Sequence, residues 1–461
     1  MNKNMIDDVK KIVGSENVLY GGAEKQRFAH IWATAIPLAA KGVVMPRSTK
    51  EVSDIMRLCY QHDEEVVVHG GLTNLVGSTQ VKPHQWVISL EKMNTIEAID
   101  ENSKTVTAQS GVVLENLIDA VAEKDLFLPL NFGAKGSAQL GGVIATNAGG
   151  MRVFRYGMTR AMVLGLEVVL PTGTIVSSLK KIIKDNSGYD LKQLFIGAEG
   201  TLGIVTRATL RLFELPTSRY VALIAVHTFS DVISLLRLLD RALSGNLSAF
   251  ELMWQSTYQK ATNAVKNQAV PMTQEYPYYI FVESMGNDLA RDYSIFESAI
   301  TAAAEKELIV DAVLAQTKRE VENLMLIRED TQALRQPFAH TQHFDISLPI
   351  DVMEHEVARI VADLGAMPFV EAVLPFGHIA DGNIHFIVGK KDDTIDNAKK
   401  IETTVYKNLK KYLGSVSAEH GIGIHKKEHL GTSKSAEEIA LMKTLKKILD
   451  PKHLLNPGRV F

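Results

Sequence analysis

The chain has one cysteine, Cys59, among its 461 residues. That excludes an internal disulfide and fits a reducing compartment. Within the run Asp54-Ile55-Met56-Arg57-Leu58-Cys59-Tyr60 it reads as a residue on a helix face. No apolar run approaches the ~20 residues needed to cross a bilayer. The N-terminus, Met1-Asn2-Lys3-Asn4-Met5-Ile6-Asp7-Asp8, lacks the apolar stretch of a signal peptide and carries acidic residues that an organellar transit peptide avoids. The expectation is therefore a cytoplasmic protein. A net charge of -3 gives no attraction to nucleic acid or to an anionic membrane. There is no internal repeat and no low-complexity segment. No G-x-G-x-x-G lies between a strand and a helix, which argues against a Rossmann NAD site.

What is present is an ordinary soluble composition, with 46% hydrophobic and 22% charged residues, in a chain long enough for two or three domains. Residues 1–40 read mostly as helices. Residues 41–216 mix short strands with single helices and are rich in glycine; strands are expected at 65–68, 86–90 and 164–170, the last in a hairpin with 175–176. Residues 217–410 alternate strands with longer helices, such as 231–243 capped by Ser230, and read as an antiparallel sheet with helices on one face. Residues 411–461 hold a loop rich in His and Gly, then a helix. The fold class is α+β.

Two glycine-rich stretches stand out in the first domain. Gly70, Gly71, Leu72, Thr73, Asn74 and Gly77 follow an apolar strand, where glycines let backbone N–H groups approach a pyrophosphate. A turn is the commoner meaning of such a stretch. The segment 133–150 holds six glycines and four alanines in eighteen residues, with Gly136, Ser137, Gly141, Gly142 and Asn147 among them. Backbone that lies flat against a large planar ligand needs such small residues, and an apolar loop of this length is seldom idle.

In the second domain, Asp381-Gly382 between apolar runs signals a two-residue hairpin. Pairing outward sets His378 opposite His385 on one sheet face, and Ile387 opposite Phe376. Two imidazoles so placed suit a divalent metal if a carboxylate joins them, or form a plain cross-strand pair on a solvated face. Glu419-His420, between Ala418 and Gly421, is either loop surface or a pair turned to joint use by the flanking glycines.

The order Gly70-Gly71-Leu72-Thr73-Asn74-Leu75, Ala145-Thr146-Asn147-Ala148-Gly149-Gly150, Arg155-Tyr156-Gly157 resembles the FAD-binding fold of the vanillyl-alcohol-oxidase (PCMH) type. The run from Lys184 through Gly197-Ala198-Glu199-Gly200-Thr201-Leu202-Gly203-Ile204-Val205-Thr206 is similar to the D-lactate, glycolate and D-2-hydroxyglutarate dehydrogenase branch. The resemblance implies an FAD-binding domain, a cap domain with an antiparallel sheet, and a C-terminal segment completing the active site. It adds Glu199, Gly203, Val205 and Asn456 to the FAD contacts. It implies His378, His385 and Glu419 as ligands of a divalent metal, zinc by analogy, His420 as the base, and Arg328 as the substrate-binding arginine, whose planar fork suits a carboxylate. Thr73 stands where some members attach FAD through a histidine, so FAD is expected to be non-covalent. The partners implied are a D-2-hydroxy acid and an electron acceptor, an electron-transfer flavoprotein or a quinone, with a homodimer compatible.

The chain departs from the relatives acting on 2-hydroxyglutarate at three substrate positions. It has Ile387 for asparagine, Gln332 for threonine and His343 for lysine, which puts a five-carbon diacid in doubt. Other functions on this fold are a non-redox flavin transferase, which needs no metal, and a glycolate-oxidase-type flavoprotein subunit.

Overall fold

The computed structural model describes residues 3–264 and 270–461 and divides into two compact units. The first comprises Met1–Gly150, Gly157–Leu215 and Glu419–Phe461; the second comprises Met151–Tyr156 and Pro216–Ala418. Among the described residues no helix is long and apolar enough to cross a membrane.

In the first unit, strands Gly42–Val44, Trp86–Ser89 and Val66–His69 run parallel, and Val18–Leu19 adds an antiparallel edge. Their apolar runs are buried, as in parallel strands covered on both faces. The helix Thr49–Gln61 covers this sheet. Ser48 caps it by accepting from Glu51 N, and Val52, Ile55, Met56 and Cys59 face inward at helical spacing. Burial pushes the Cys59 thiol up to about 12, so it is a packing residue rather than a nucleophile. A second, five-stranded antiparallel sheet includes the expected hairpin, Val163–Val169 with Ile175–Ser178. The N-terminal forty residues are less helical than expected. Only Lys3–Val13 is α-helix, burying Met5, Val9 and Val13, and the 3-10 turns Ser15–Asn17 and Ala23–Gln26 follow. Gly14, Gly21 and Gly22 interrupt it at φ 85°, 72° and 110°, conformations a helix cannot hold.

The second unit is built on a seven-stranded antiparallel sheet, in the order Asp311–Leu314, Ser218–Val226, Tyr278–Gly286, Leu247–Trp254, Val370–His378, Asn383–Lys390, His340–Ser347. The helix expected at 231–243 is Phe229–Ala242, and its cap is Thr228 rather than Ser230. Thr228 forms a reciprocal capping box with Asp231, which satisfies two backbone donors where Ser230 would satisfy one.

Glu283 is buried in the strand Tyr278–Gly286. Arg152 Nε lies 3.1 Å from its Oε1, Arg219 Nε 2.6 Å from its Oε2, and Ser248 Oγ donates at 2.8 Å. Burial opposes its charge, but the two guanidiniums prevail and hold the carboxyl at about 2. Arg152 thereby fastens the short segment Met151–Tyr156 to its unit, with Arg155 Nη1 donating to Met285 O at 2.5 Å.

Glu283→Gln should therefore destabilise the protein by about 3 kcal/mol at neutral pH, because it leaves buried Arg152 uncompensated. The folded pKa is depressed, so this contribution is whole above the ordinary carboxylate range and is lost as pH falls through about 2. Urea unfolding should show wild type and variant converging between pH 6 and pH 3; a constant gap would contradict the ion-pair account.

Candidate active site

The glycine stretches of the first unit meet backbone to backbone. A Cβ on Gly71 would lie 2.0 Å from Ser137 O, so only glycine allows the loop after Val66–His69 to approach the 133–142 segment. Leu72 (φ 58°) and Asn147 (φ 51°) adopt the left-handed backbone that side chains disfavour. Such strain tends to collect at binding sites. Gln139 Oε1 is buried beside Gly70 without a hydrogen-bond partner among the described residues, and a Cβ on Gly142 would meet open space. An orphaned polar atom between tight glycine loops, with open space alongside, fits a large polar cofactor.

Other residues expected at the cofactor are engaged in the loops themselves. Asn74 Oδ1 accepts from Ser78 N at 2.8 Å, and its Nδ2 donates to Thr79 Oγ1 at 2.7 Å. Asn147 Oδ1 accepts from Arg160 N. Gly77 gives way to His425, Gly136 to Glu115, Gly141 to Ser110 and Gly203 to Val168, while Val205 O accepts from Ser110 Oγ. Asn456 Oδ1 accepts from Val68 N and its Nδ2 donates to Glu199 O. Glu199 is buried, and its carboxylate accepts from Ile422 N at 2.7 Å, Gly423 N at 2.8 Å and Ser78 Oγ at 2.9 Å. Burial raises its pKa, and those donors oppose the rise. Glu199 thus organises the loop that starts with Glu419 and His420. Glu419 Oε1 in turn accepts from Gly150 N at 2.7 Å.

In the second unit the histidine hairpin differs from the expected register. Ile379–Asp381 form a 3-10 turn and Gly382 closes it at φ 83°, so His378 pairs with Asn383, Phe376 with His385, and Leu374 with Ile387. The loop is therefore two residues longer than an Asp-Gly hairpin. Because a two-residue slip preserves parity, the histidines stay on one face. Their rings lie 5.3 Å apart, nearly perpendicular.

Register assembles the rest of that face. Glu251 is opposite His378 and Met253 opposite Phe376; on the other side Asp345 is opposite His385 and His343 opposite Ile387. His378 Nδ1 lies 2.6 Å from Glu251 Oε1, and His385 Nδ1 lies 3.7 Å from Asp345 Oδ1. Asn383 Nδ2 donates to Asp345 Oδ1 at 2.8 Å. Arg328, from the helix Lys318–Glu329, reaches Glu251 Oε2 at 2.7 Å and stacks on Phe376 with its guanidinium 4.8 Å from the ring centre. Burial works against Glu251's charge, but His378 and Arg328 hold its carboxyl below the ordinary range. Ile387 is buried in an apolar cluster with Leu334, Leu374 and Phe376; Gln332 is exposed, and His343 Nε2 contacts Thr341 Oγ1 at 3.1 Å. Arg328 Nε and Asn383 Oδ1 are buried without hydrogen-bond partners among the described residues.

A histidine that ligates a metal usually gives its other ring N–H to a carboxylate. His378 Nδ1 has a carboxylate at hydrogen-bond distance and His385 Nδ1 has one at 3.7 Å, so Nε2 would be the nitrogen each offers to a metal, and buried Arg328 Nε keeps an unused donor. The residues present fit a divalent metal and a carboxylate ligand. Glu251 and Asp345 were missed in the sequence. The signal was there: each is a lone acid in an apolar strand, Phe250-Glu251-Leu252 and Phe344-Asp345-Ile346.

Residues 40–178 match the FAD binding domain and residues 215–460 match the FAD linked oxidases, C-terminal domain. The chain belongs to the family of FAD-linked oxidases and binds FAD. Within that family it is similar to D-2-hydroxyglutarate dehydrogenase of Bos taurus (37% identical, covering 93% of this chain and 78% of the relative). It is also similar to D-2-hydroxyglutarate dehydrogenase of Stutzerimonas stutzeri (33%, covering 99% and 98%) and to a protein of Schizosaccharomyces pombe named for D-lactate dehydrogenase (36%, covering 97% and 88%). Among solved structures it shares its fold with alkyldihydroxyacetonephosphate synthase (TM-score 0.75, 16% identical, covering 99% of this chain and 85% of that one). p-Cresol methylhydroxylase shares it too (TM-score 0.74, 14% identical, covering 99% and 96%). The cytoplasmic expectation is corrected here, because the relatives from Bos taurus and Schizosaccharomyces pombe are mitochondrial by name. A lone thiol and the absence of an apolar run are common to several compartments, so neither singles out the cytoplasm.

Gly71→Ala should drive the two glycine loops apart, since its Cβ would collide with Ser137 O. The variant should retain less flavin per chain, read from the ratio of visible to ultraviolet absorbance, and lose about 1 kcal/mol or more of stability. Full flavin occupancy would show that this contact does not shape the cofactor site.

Proposed function

We propose that this protein, an FAD-dependent D-2-hydroxy-acid dehydrogenase, oxidises its substrate to the 2-oxo acid at a metal-assisted centre formed by His378, His385, Glu419, Arg328 and His420. The observation that carries the proposal is the pair of imidazoles on one sheet face, with Glu251 at 2.6 Å from Nδ1 of His378 and Asp345 at 3.7 Å from Nδ1 of His385. Supporting it, the residue before Glu419 is held at that face, with Ala418 N donating to Asp345 O at 3.2 Å.

When bound, FAD supplies a hydride acceptor at N5, and a divalent metal, zinc by resemblance, supplies Lewis acidity toward the 2-hydroxyl. His378, His385 and Glu419 would hold the metal. Arg328 would take the substrate carboxylate on the donors that Glu251 leaves to it, in a buried setting where a charge-assisted bond is strong. His420 would accept the hydroxyl proton, a role suited to an imidazole. An electron-transfer flavoprotein or a quinone would be the final electron acceptor. Ile387, Gln332 and His343 would set the preference at the far end of the substrate. The apolar side chain of Ile387 favours an acid without a second carboxylate, because an unpaired buried charge costs several kcal/mol. The likeness to alkyldihydroxyacetonephosphate synthase extends only to fold, and a non-redox transferase gives the paired histidines nothing to do.

His378→Ala or His385→Ala should remove the divalent metal, about one ion per chain in the wild type by elemental analysis, while flavin absorbance stays unchanged. Loss of flavin together with metal would make the hairpin structural. Acid precipitation should leave FAD in the supernatant, since Thr73 offers no imidazole for attachment; flavin in the pellet would reverse that expectation. Anaerobic bleaching with D-lactate and D-2-hydroxyglutarate would identify the substrate, with D-lactate expected to be the faster.

A further inference from the structure

We infer that Glu251 is a positioning residue shared by two functions, fixing the imidazole of His378 for the metal and the guanidinium of Arg328 for the substrate carboxylate. This rests on the metal-assisted centre proposed above and gives a role to a residue outside it. Glu251 sits in the strand Leu247–Trp254, directly opposite His378 in the neighbouring strand, and is buried. Its two oxygens go to different partners: Oε1 lies 2.6 Å from His378 Nδ1, and Oε2 lies 2.7 Å from Arg328 Nη2 as an ion pair without hydrogen-bond alignment. Phe376 closes the other side of the guanidinium at 4.8 Å. The carboxylate of Asp345 lies 3.7 Å from His385 Nδ1 and meets Asn383 Nδ2 and Ser417 Oγ, and its backbone carbonyl accepts from Ala418 N.

Chemistry makes the arrangement consequential. A carboxylate at Nδ1 fixes the tautomer and raises the basicity of Nε2, and removing such a partner typically weakens metal binding roughly 10- to 100-fold. A guanidinium held by a buried carboxylate on one edge and an aromatic ring on its face has few rotamers, so its remaining donors are already aimed when the substrate arrives. One carboxylate therefore couples metal affinity to substrate affinity, whereas the carboxylate of Asp345 lies beside the imidazole of His385.

The test compares wild type, Glu251→Gln and Asp345→Asn as full-length, FAD-loaded protein. Zinc affinity is read by competition with a chromophoric chelator. KM is then measured at saturating zinc for whichever of D-lactate and D-2-hydroxyglutarate the wild type oxidises. Both variants should bind zinc roughly tenfold or more weakly. At saturating zinc Asp345→Asn should recover a near-wild-type KM, while Glu251→Gln should keep a KM raised roughly tenfold, with kcat changed less. Flavin content and thermal melting show that each variant is folded; should Glu251→Gln fail to fold, Glu251→Asp, which is one methylene short of reaching both partners, takes its place with the same expectations. Undiminished zinc affinity in the Glu251 variant, or full recovery of its KM by zinc, overturns the shared role. A wild type with no zinc affinity removes the metal-assisted centre itself and this inference with it, and that outcome is visible before any variant is compared.

Discussion

A carboxylate taken out of water must find its charge matched, and that requirement organises the second unit. Three acids lie buried in its sheet: Glu251, Glu283 and Asp345. Each is surrounded by partners specific to its strand position. Glu283 gathers Arg152 and Arg219; Glu251 gathers His378 and Arg328; Asp345 gathers Asn383, with His385 close by. The first set is structural. The other two supply the polar side of a face whose remainder is apolar, with Met253, Leu374, Phe376 and Ile387 packed around it. Loss of one partner would leave a charge in a medium that does not solvate it, so these contacts hold side chains in place more firmly than their number suggests.

The first unit meets a different constraint, that of backbone approach. Gly71 against Ser137 O, Gly150 against Asn131 O and Gly111 against Leu90 O are contacts within van der Waals distance of any added carbon. Glycine at these positions permits close loops without specifying them. Glu199 adds the specification, since its carboxylate draws Ile422 N and Gly423 N onto a loop from a distant part of the sequence. A residue expected at the cofactor thus has a visible role in shaping the segment that carries Glu419 and His420.

Much of this was legible in the amino-acid order. The apolar strands after Glu65 and before Gly70, the Pro171-Thr172-Gly173 hairpin and the glycine segments all follow from local patterns that the fold respects. The same-face placement of His378 and His385 was legible even though the register was misjudged, because side chains alternate with a period of two and the slip was two residues. What was hidden depends on strands far apart in sequence. Nothing local to Glu251 points to His378, 127 residues on. Likewise the cap was read as Ser230, but the helix begins at Phe229, and Thr228 caps it through its reciprocal bonds with Asp231. In the N-terminal segment the helical reading ran to residue 40, while the helix ends at Val13 before Gly14, and Gly21 and Gly22 keep the chain from resuming it.

The segment Met151–Tyr156 leaves one unit for the other and returns within six residues, so the chain passes between units at Gly150, Tyr156, Leu215 and Ala418. A gene fusion or exchange that joined one half of such a protein to a foreign partner at a single point would carry away part of the other half. Cutting at the obvious place, Leu215–Pro216, leaves the 151–156 strip attached to the N-terminal fragment and the Glu419–Phe461 stretch to the C-terminal one. Inheritance of the two units is therefore tied together by threading: a lineage can tune the face around His378 residue by residue, but it cannot trade the second unit for another as a cassette.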